Sequence, residues 1–190
     1  MLQQGRFVAD VAYFYGEDRN LTELFKDRVN TDVPKGYAYD YINPEALLTL
    51  LSVKDGRLVT PSGISYRVLF LPVTVQRLSL PALRKIRALV ADGAVLVGKR
   101  PVGGLGMTSP DNEIARLADE IWGDGAPGRS LGQGRVYTDL ASALATEKVT
   151  PDIAFTDKAA AADLLTLHRR TADADIYFVS NQSNEPRALD

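Results

Sequence analysis

Apolar residues fall along this chain in short unbroken runs that alternate with stretches of helical periodicity. Phe7-Val8-Ala9-Asp10-Val11-Ala12-Tyr13-Phe14-Tyr15 is a β-rich run ended by Gly16. Mostly apolar runs of this kind suit strands covered on both faces. Tyr37-Ala38-Tyr39-Asp40-Tyr41-Ile42, Tyr66-Arg67-Val68-Leu69-Phe70-Leu71-Pro72, Ala94-Val95-Leu96-Val97-Gly98 and Ile176-Tyr177-Phe178-Val179-Ser180 are further strand candidates, and Arg135-Val136-Tyr137 is a short one. Asn43-Pro44-Glu45 opens a helix, with Asn as N-cap, Pro at N1 and an acid in the first turn; Ala46, Leu47, Leu48, Leu50 and Leu51 continue it. Ser79 caps a second helix with Leu80, Leu83, Ile86, Leu89 and Val90 on its apolar face, stopped by Asp92-Gly93.

Other helical stripes run through Ile114, Leu117, Ala118 and Ile121, through Leu140, Ala143 and Leu144, and from Ala159 to Leu167; Leu21 to Phe25 is a short helix candidate. Leu2-Gln3-Gln4-Gly5 reads as a last helical turn with a Gly C-cap, which implies an upstream body. Asp55-Gly56 between short apolar flanks predicts a tight hairpin, and Ser62-Gly63 a further turn. Residues 99–110 and 125–134 read as loops. The strand–helix–strand unit from Tyr66 to Gly98 implies a parallel crossover. Together these alternations predict one α/β domain over residues 1–182 with a polar tail over 183–190 that leads toward a downstream module. Its fold class is a doubly wound, mostly parallel sheet, flavodoxin-like or class I glutamine-amidotransferase-like, with a small β-hairpin insertion.

Composition narrows the chemistry. The 190 residues fit one domain, and their net charge of −2 comes with no basic block, so nucleic acid is not an expected partner. No apolar run approaches the ~20 residues of a membrane span, and the start carries no signal-peptide pattern. The absence of cysteine removes disulfides, thiolate metal sites and the nucleophile of an amidotransferase.

Ligands of open α/β sheets bind beyond the carboxyl ends of the strands. The loop after the first strand carries Glu17 and Asp18, which repel phosphate. The strand ending in Pro72 lacks the Asp of a receiver-type phosphoacceptor. Gly103-Gly104-Leu105-Gly106 does not open directly into a helix and reads as a flexible surface loop. His168, with no carboxylates at metal-ligand spacing, reads as a helix-end residue offsetting the C-terminal dipole. Arg169 and Arg170 read as a solvated face or a partner contact. Glu17, Asp18, Asp40 and Glu45 are the acids near strand ends, yet no pair has the relation that glycoside hydrolysis requires. Tyr13, Tyr15, Tyr37, Tyr39 and Tyr41 could stack on sugar rings, though core packing suits most of them. Glu17, Asp40, Tyr41 and Asn43 remain as residues suited to the rim of a sugar pocket, by bidentate hydrogen bonding or by an apolar ring with a polar tip. No residue is assigned a catalytic, cofactor or metal role.

Five stretches together resemble glycoside hydrolase family 106, the α-L-rhamnosidase family: residues 2–18 (LQQGRFVADVAYFYGED), 36–48 (GYAYDYINPEALL), 55–72 (DGRLVTPSGISYRVLFLP), 80–98 (LPALRKIRALVADGAVLVG) and 168–181 (HRRTADADIYFVSN). The resemblance implies a long, secreted or periplasmic, multidomain parent enzyme. It implies catalytic glutamates on a (β/α)₈ barrel with calcium near the sugar site, and neither maps onto this sequence. This chain resembles the α/β domain that follows the barrel, so the barrel is its expected partner. On that reading it is a non-catalytic accessory domain packed on the barrel, contributing loops to the sugar site and holding no cofactor. The alternatives are a free-standing carbohydrate-binding or homo-oligomerising module, and a small-molecule enzyme on a flavodoxin-like scaffold.

Overall fold

The computed structural model describes residues 3–20, 22, 32–106, 111–155 and 163–186. Among them lie four helices and fourteen strands distributed over four sheets. The largest sheet has a parallel block. Its strands are β2 (Val11–Phe14), β3 (Tyr39–Ile42), β7 (Val68–Phe70), β9 (Val95–Val97) and β12 (Gly134–Tyr137). With β11 (Arg129–Leu131) added antiparallel at one edge, the order is β11-β12-β9-β7-β2-β3.

Side chains alternate across this sheet, and the two faces bury different partners. Ala12, Phe14, Leu69, Leu71, Leu96 and Val136 pack against α1 (Pro44–Thr49), α2 (Leu80–Ala91) and α3 (Asp111–Trp122). Trp122 closes that core and donates its indole N–H to the Gly98 carbonyl at 2.8 Å. The opposite face carries Val11, Tyr13, Val68, Phe70, Val95, Val97 and Tyr137. It is covered by the seven-residue α4 (Leu140–Thr146), by Val33 and Val149, and by partly buried tyrosines.

That second face overturns the doubly wound, flavodoxin-like or amidotransferase-like expectation. Such a fold places a helical layer on both faces, whereas here one face has a single short helix among the described residues. Nine of the fourteen strands also lie outside the parallel block, seven of them in antiparallel pairings and two in a separate parallel pair. β1 (Arg6–Phe7), β13 (Leu164–Arg170) and β14 (Asp175–Asn181) form an antiparallel sheet. β4 (Ser52–Lys54), β5 (Arg57–Val59) and β6 (Ser65–Tyr66) form another. β8 (Arg77–Ser79) and β10 (Gly103–Leu105) form a parallel pair. Unbroken apolar runs misled because tyrosines and irregular segments, rather than helices, can cover them.

Other expectations are corrected with it. The run from Phe7 to Tyr15 is two strands in different sheets, broken where the Asp10 carbonyl accepts from Arg67 N and Val68 N. Leu164 to Leu167 are strand, not helix; residues 159–162 of that predicted helix lie outside the described residues. Glycines 103 and 104 belong to a paired strand rather than a flexible loop. Gln3 to Gly5 form a turn, with Gly5 at φ +64°, and not a helix end. The helix predicted at 21–25 lies outside the described residues except for Thr22.

Several local readings match. β7, α2 and β9 form the strand–helix–strand unit, with β7 and β9 parallel. Ser79 caps α2 through a hydrogen bond from Ala82 N, and Asn43 caps α1 with Pro44 at its start. Asp55 and Gly56, at φ 52° and 70°, turn the β4–β5 hairpin as a two-residue loop of positive φ requires.

Candidate functional site

The strand-end residues do not converge on one pocket. Glu17 follows β2 on a loop and reaches the start of α2. Its Oε2 accepts the Ser79 backbone N–H at 2.7 Å and its Oε1 accepts the Ser79 hydroxyl at 2.6 Å. A carboxylate there satisfies donors at a helix start and complements the helix dipole. Asn43 Oδ1 accepts Ala46 N at 2.7 Å, so this side chain serves the other helix cap.

Asp40 and Tyr41 are neighbours on the edge strand β3, and strand alternation sends their side chains to opposite faces. Tyr41 joins an aromatic group: its ring lies 5.3 Å from Tyr13 and 5.3 Å from Tyr39, both near perpendicular, and 6.3 Å from Tyr15. Tyr13 is buried there. Its hydroxyl donates to Asp32 Oδ2 at 2.6 Å, while Tyr37 donates to the Val149 carbonyl. Most of these rings therefore pack the second face.

Asp40 lines a cleft of about 480 Å³ between β3, α1 and the turn at 60–64, together with Tyr41, Ile42, Ala46, Leu50, Leu51 and Tyr66. Tyr66 is buried and donates its hydroxyl to Asp40 Oδ2 at 3.0 Å. Burial pushes the Asp40 carboxyl above its ordinary value, and the Tyr66 hydrogen bond opposes the shift. Burial and then the Asp40 charge push the Tyr66 phenol up. Asp40 is the one acid among the described residues lining this cleft. A single carboxylate beside apolar walls accepts hydrogen bonds from vicinal hydroxyls, but it lacks the second carboxylate of a hydrolytic pair.

His168 is where the structure departs furthest from the helix-end reading. It lies in β13, is 1% exposed, and is gripped by two carboxylates. Nδ1 lies 2.8 Å from Asp152 Oδ2, and Nε2 lies 2.8 Å from Asp175 Oδ1. Tyr177 stacks on the ring with centroids 4.1 Å apart. A ring protonated at both nitrogens donates to both acids, whereas either neutral tautomer serves only one. Arg170 Nε donates to the same Asp175 oxygen at 2.6 Å. The hydrogen bonds from Arg170 and then from His168 pull the Asp175 carboxyl below its ordinary value. With both nitrogens engaged and no surface, His168 is a tie between β13 and the 150s segment rather than an accessible base. Arg169 turns to the N-terminal segment and donates to the Gln4 and Gly5 carbonyls. Sequence reasoning missed this cluster because its partners become neighbours only through tertiary structure. The one available signal was β-type pairing around residues 164–170.

Among the described residues no group of three or more His, Cys, Asp or Glu could hold a metal ion, and no helix is long and apolar enough to cross a membrane.

A model of the family Glyco_hydro_106, alpha-L-rhamnosidase, matches residues 1–190. A protein of Formosa agariphila named "Putative beta-glucuronidase" is 34% identical over 195 residues, covering all of this chain and 15% of its own length. The solved structure of a rhamnosidase from Novosphingobium sp. PP1Y is 40% identical with a TM-score of 0.82, over 94% of this chain and 17% of that one. The chain thus spans less than a fifth of either relative, each a much larger polypeptide.

Proposed function

Because the chain belongs to glycoside hydrolase family 106, the α-L-rhamnosidase family, we propose that it is a non-catalytic accessory domain of such an enzyme. It packs on the part of the enzyme that cleaves the glycosidic bond and lends the Asp40–Tyr41 edge to the sugar pocket. The observation that carries the reading is the β13–β14 hairpin. β14 is the outer strand of its sheet, so one row of backbone groups is unpaired within that sheet. Its central side chains put apolar surface on both faces: Tyr177 and Val179 on one, Phe178 with Leu165 of β13 on the other, between 36% and 47% exposed. An edge strand with apolar side chains partly open on both faces is suited to burial against another part of a longer polypeptide. The catalytic half of the reading follows from the site. Glu17 and Asn43 are committed to helix caps, His168 is enclosed, and Asp40 lines its cleft without a second acid among the described residues.

Two measurements test it. The chain alone should not hydrolyse an aryl α-L-rhamnoside. In the presence of the rest of a family enzyme, backbone amides of β14 should gain hydrogen-exchange protection. Rhamnoside turnover by this chain that disappears in Asp40→Asn refutes the first half. A stable homodimer sealed through β14 refutes the second and favours a self-associating module.

A further inference from the structure

A cluster of arginines lies away from the strand ends. A cleft of about 380 Å³ opens between β1, the β5–β6 turn and the end of β13, and it shares only Ile64 with the Asp40 cleft. Among the described residues, three arginines line it, Arg6, Arg57 and Arg170, and no acid does. Arg57 Nε is buried and has no hydrogen-bond partner. Burial, and then repulsion from Arg67, push the Arg57 guanidinium down; Asp10 opposes them, and Arg170 adds a further repulsion. Arg6 reaches only a long contact with the Gly63 carbonyl, 3.5 Å. Its position depends on Gly63 being glycine, since a Cβ there would lie 2.5 Å from the Arg6 guanidinium. Arg170 has its own acid, Asp175, on the side of His168.

A buried guanidinium N–H is ordinarily hydrogen-bonded, an oxyanion being its strongest partner, and leaving it unpaired is costly. We propose that this cleft is an oxyanion site that takes the carboxylate of an acidic sugar, with Arg57 and Arg6 as its ligands. Size favours a sugar over a bare ion: the cleft is more than ten times the roughly 30 Å³ of a water molecule. Phe7, Val8 and Ile64 supply apolar wall for ring C–H faces, and Ser65 a hydroxyl. The site stands independently of the docking proposal and of the Asp40 edge.

Calorimetry at low salt with D-glucuronate, its neutral counterpart D-glucose, and inorganic sulfate tests this on the wild-type chain and on Arg57→Gln and Arg6→Gln. Glucuronate should bind at least about tenfold more tightly than glucose, and each substitution should weaken glucuronate about tenfold or more, as loss of a charge-assisted hydrogen bond does. Arg84→Gln, on the surface beside Glu113, should leave binding unchanged. Arg6 is exposed, so Arg6→Gln carries the test should Arg57→Gln fold poorly. The proposal falls if glucuronate binds no better than glucose, if Arg6→Gln binds like wild type, or if sulfate binds and glucuronate does not.

Discussion

Replacing Glu17 by Ala removes both acceptors that hold Ser79, at 2.7 and 2.6 Å, from the start of the twelve-residue α2. A hydrogen bond to a charged group contributes about 1.5–3 kcal/mol, and a negative charge at a helix N-terminus about 0.3–1 kcal/mol. Rehydration of the freed Ser79 groups, which are only part-buried, returns some of this. The net loss should be about 2–3 kcal/mol, equivalent to roughly 5–10 °C in melting temperature for a chain of this size. Glu17→Gln keeps one acceptor oxygen but loses the charge, so it should fall between wild type and Glu17→Ala. Urea titration followed by far-UV circular dichroism measures the difference from the midpoints at constant slope. A Glu17→Ala variant within about 0.5 kcal/mol of wild type, the range of an ordinary surface substitution, refutes the assignment of Glu17 as a cap-supporting residue. A loss of sugar affinity without loss of stability would return Glu17 to the pocket rim.

Three other outcomes are expected. His168→Phe strips Asp152 of its main partner and should cost about 1.5–3 kcal/mol, with faster amide exchange in β13 and β14 by mass spectrometry. Gly134→Ala places a Cβ 2.2 Å from the Val90 carbonyl oxygen and 2.3 Å from that of Ala94. Backbone must move to admit it, so a loss above about 2 kcal/mol is expected in the same urea titration. Asp40 has a folded pKa raised above its ordinary 3.8, so its favourable contribution is complete below that value and is lost as pH rises through the folded value. Asp40→Asn should therefore gain melting temperature relative to wild type between pH 4 and pH 7; an unchanged gap over that range contradicts the shift.

Local signals in this chain were legible wherever one short segment decides the structure. Asn43-Pro44 and Ser79 cap helices because capping is a contact within four residues, and Asp55-Gly56 turns a hairpin because positive φ is a property of the residues themselves. The parallel pairing of β7 and β9 was legible from a buried helix between two apolar runs. The covering of the second face was not, because core packing by Tyr13, Tyr39 and Tyr41 does not tell from sequence whether helices or other tyrosines lie against them. Leu164 to Leu167 read as helix because their stripe continues Ala159–Ala162, and only pairing with β14 reveals a strand. At the candidate site, Glu17 was visible as an acid near a strand end, but its partner Ser79 lies in a separate element. The His168 tie draws Asp152 and Asp175 from opposite sides in sequence, and no spacing rule connects them.

The pairing of Arg6 and Phe7 with Arg170 and Arg169 also has a consequence for biogenesis. On a ribosome adding about 5–20 residues per second, β1 emerges before β13 and waits on the order of ten seconds or longer for it. The β2–β12 block can assemble meanwhile, since its strands and helices lie between those two. β1 then acts as a latch whose catch is synthesised only after that block. Until it closes, the edge of β1 is exposed to chaperones and to neighbouring chains.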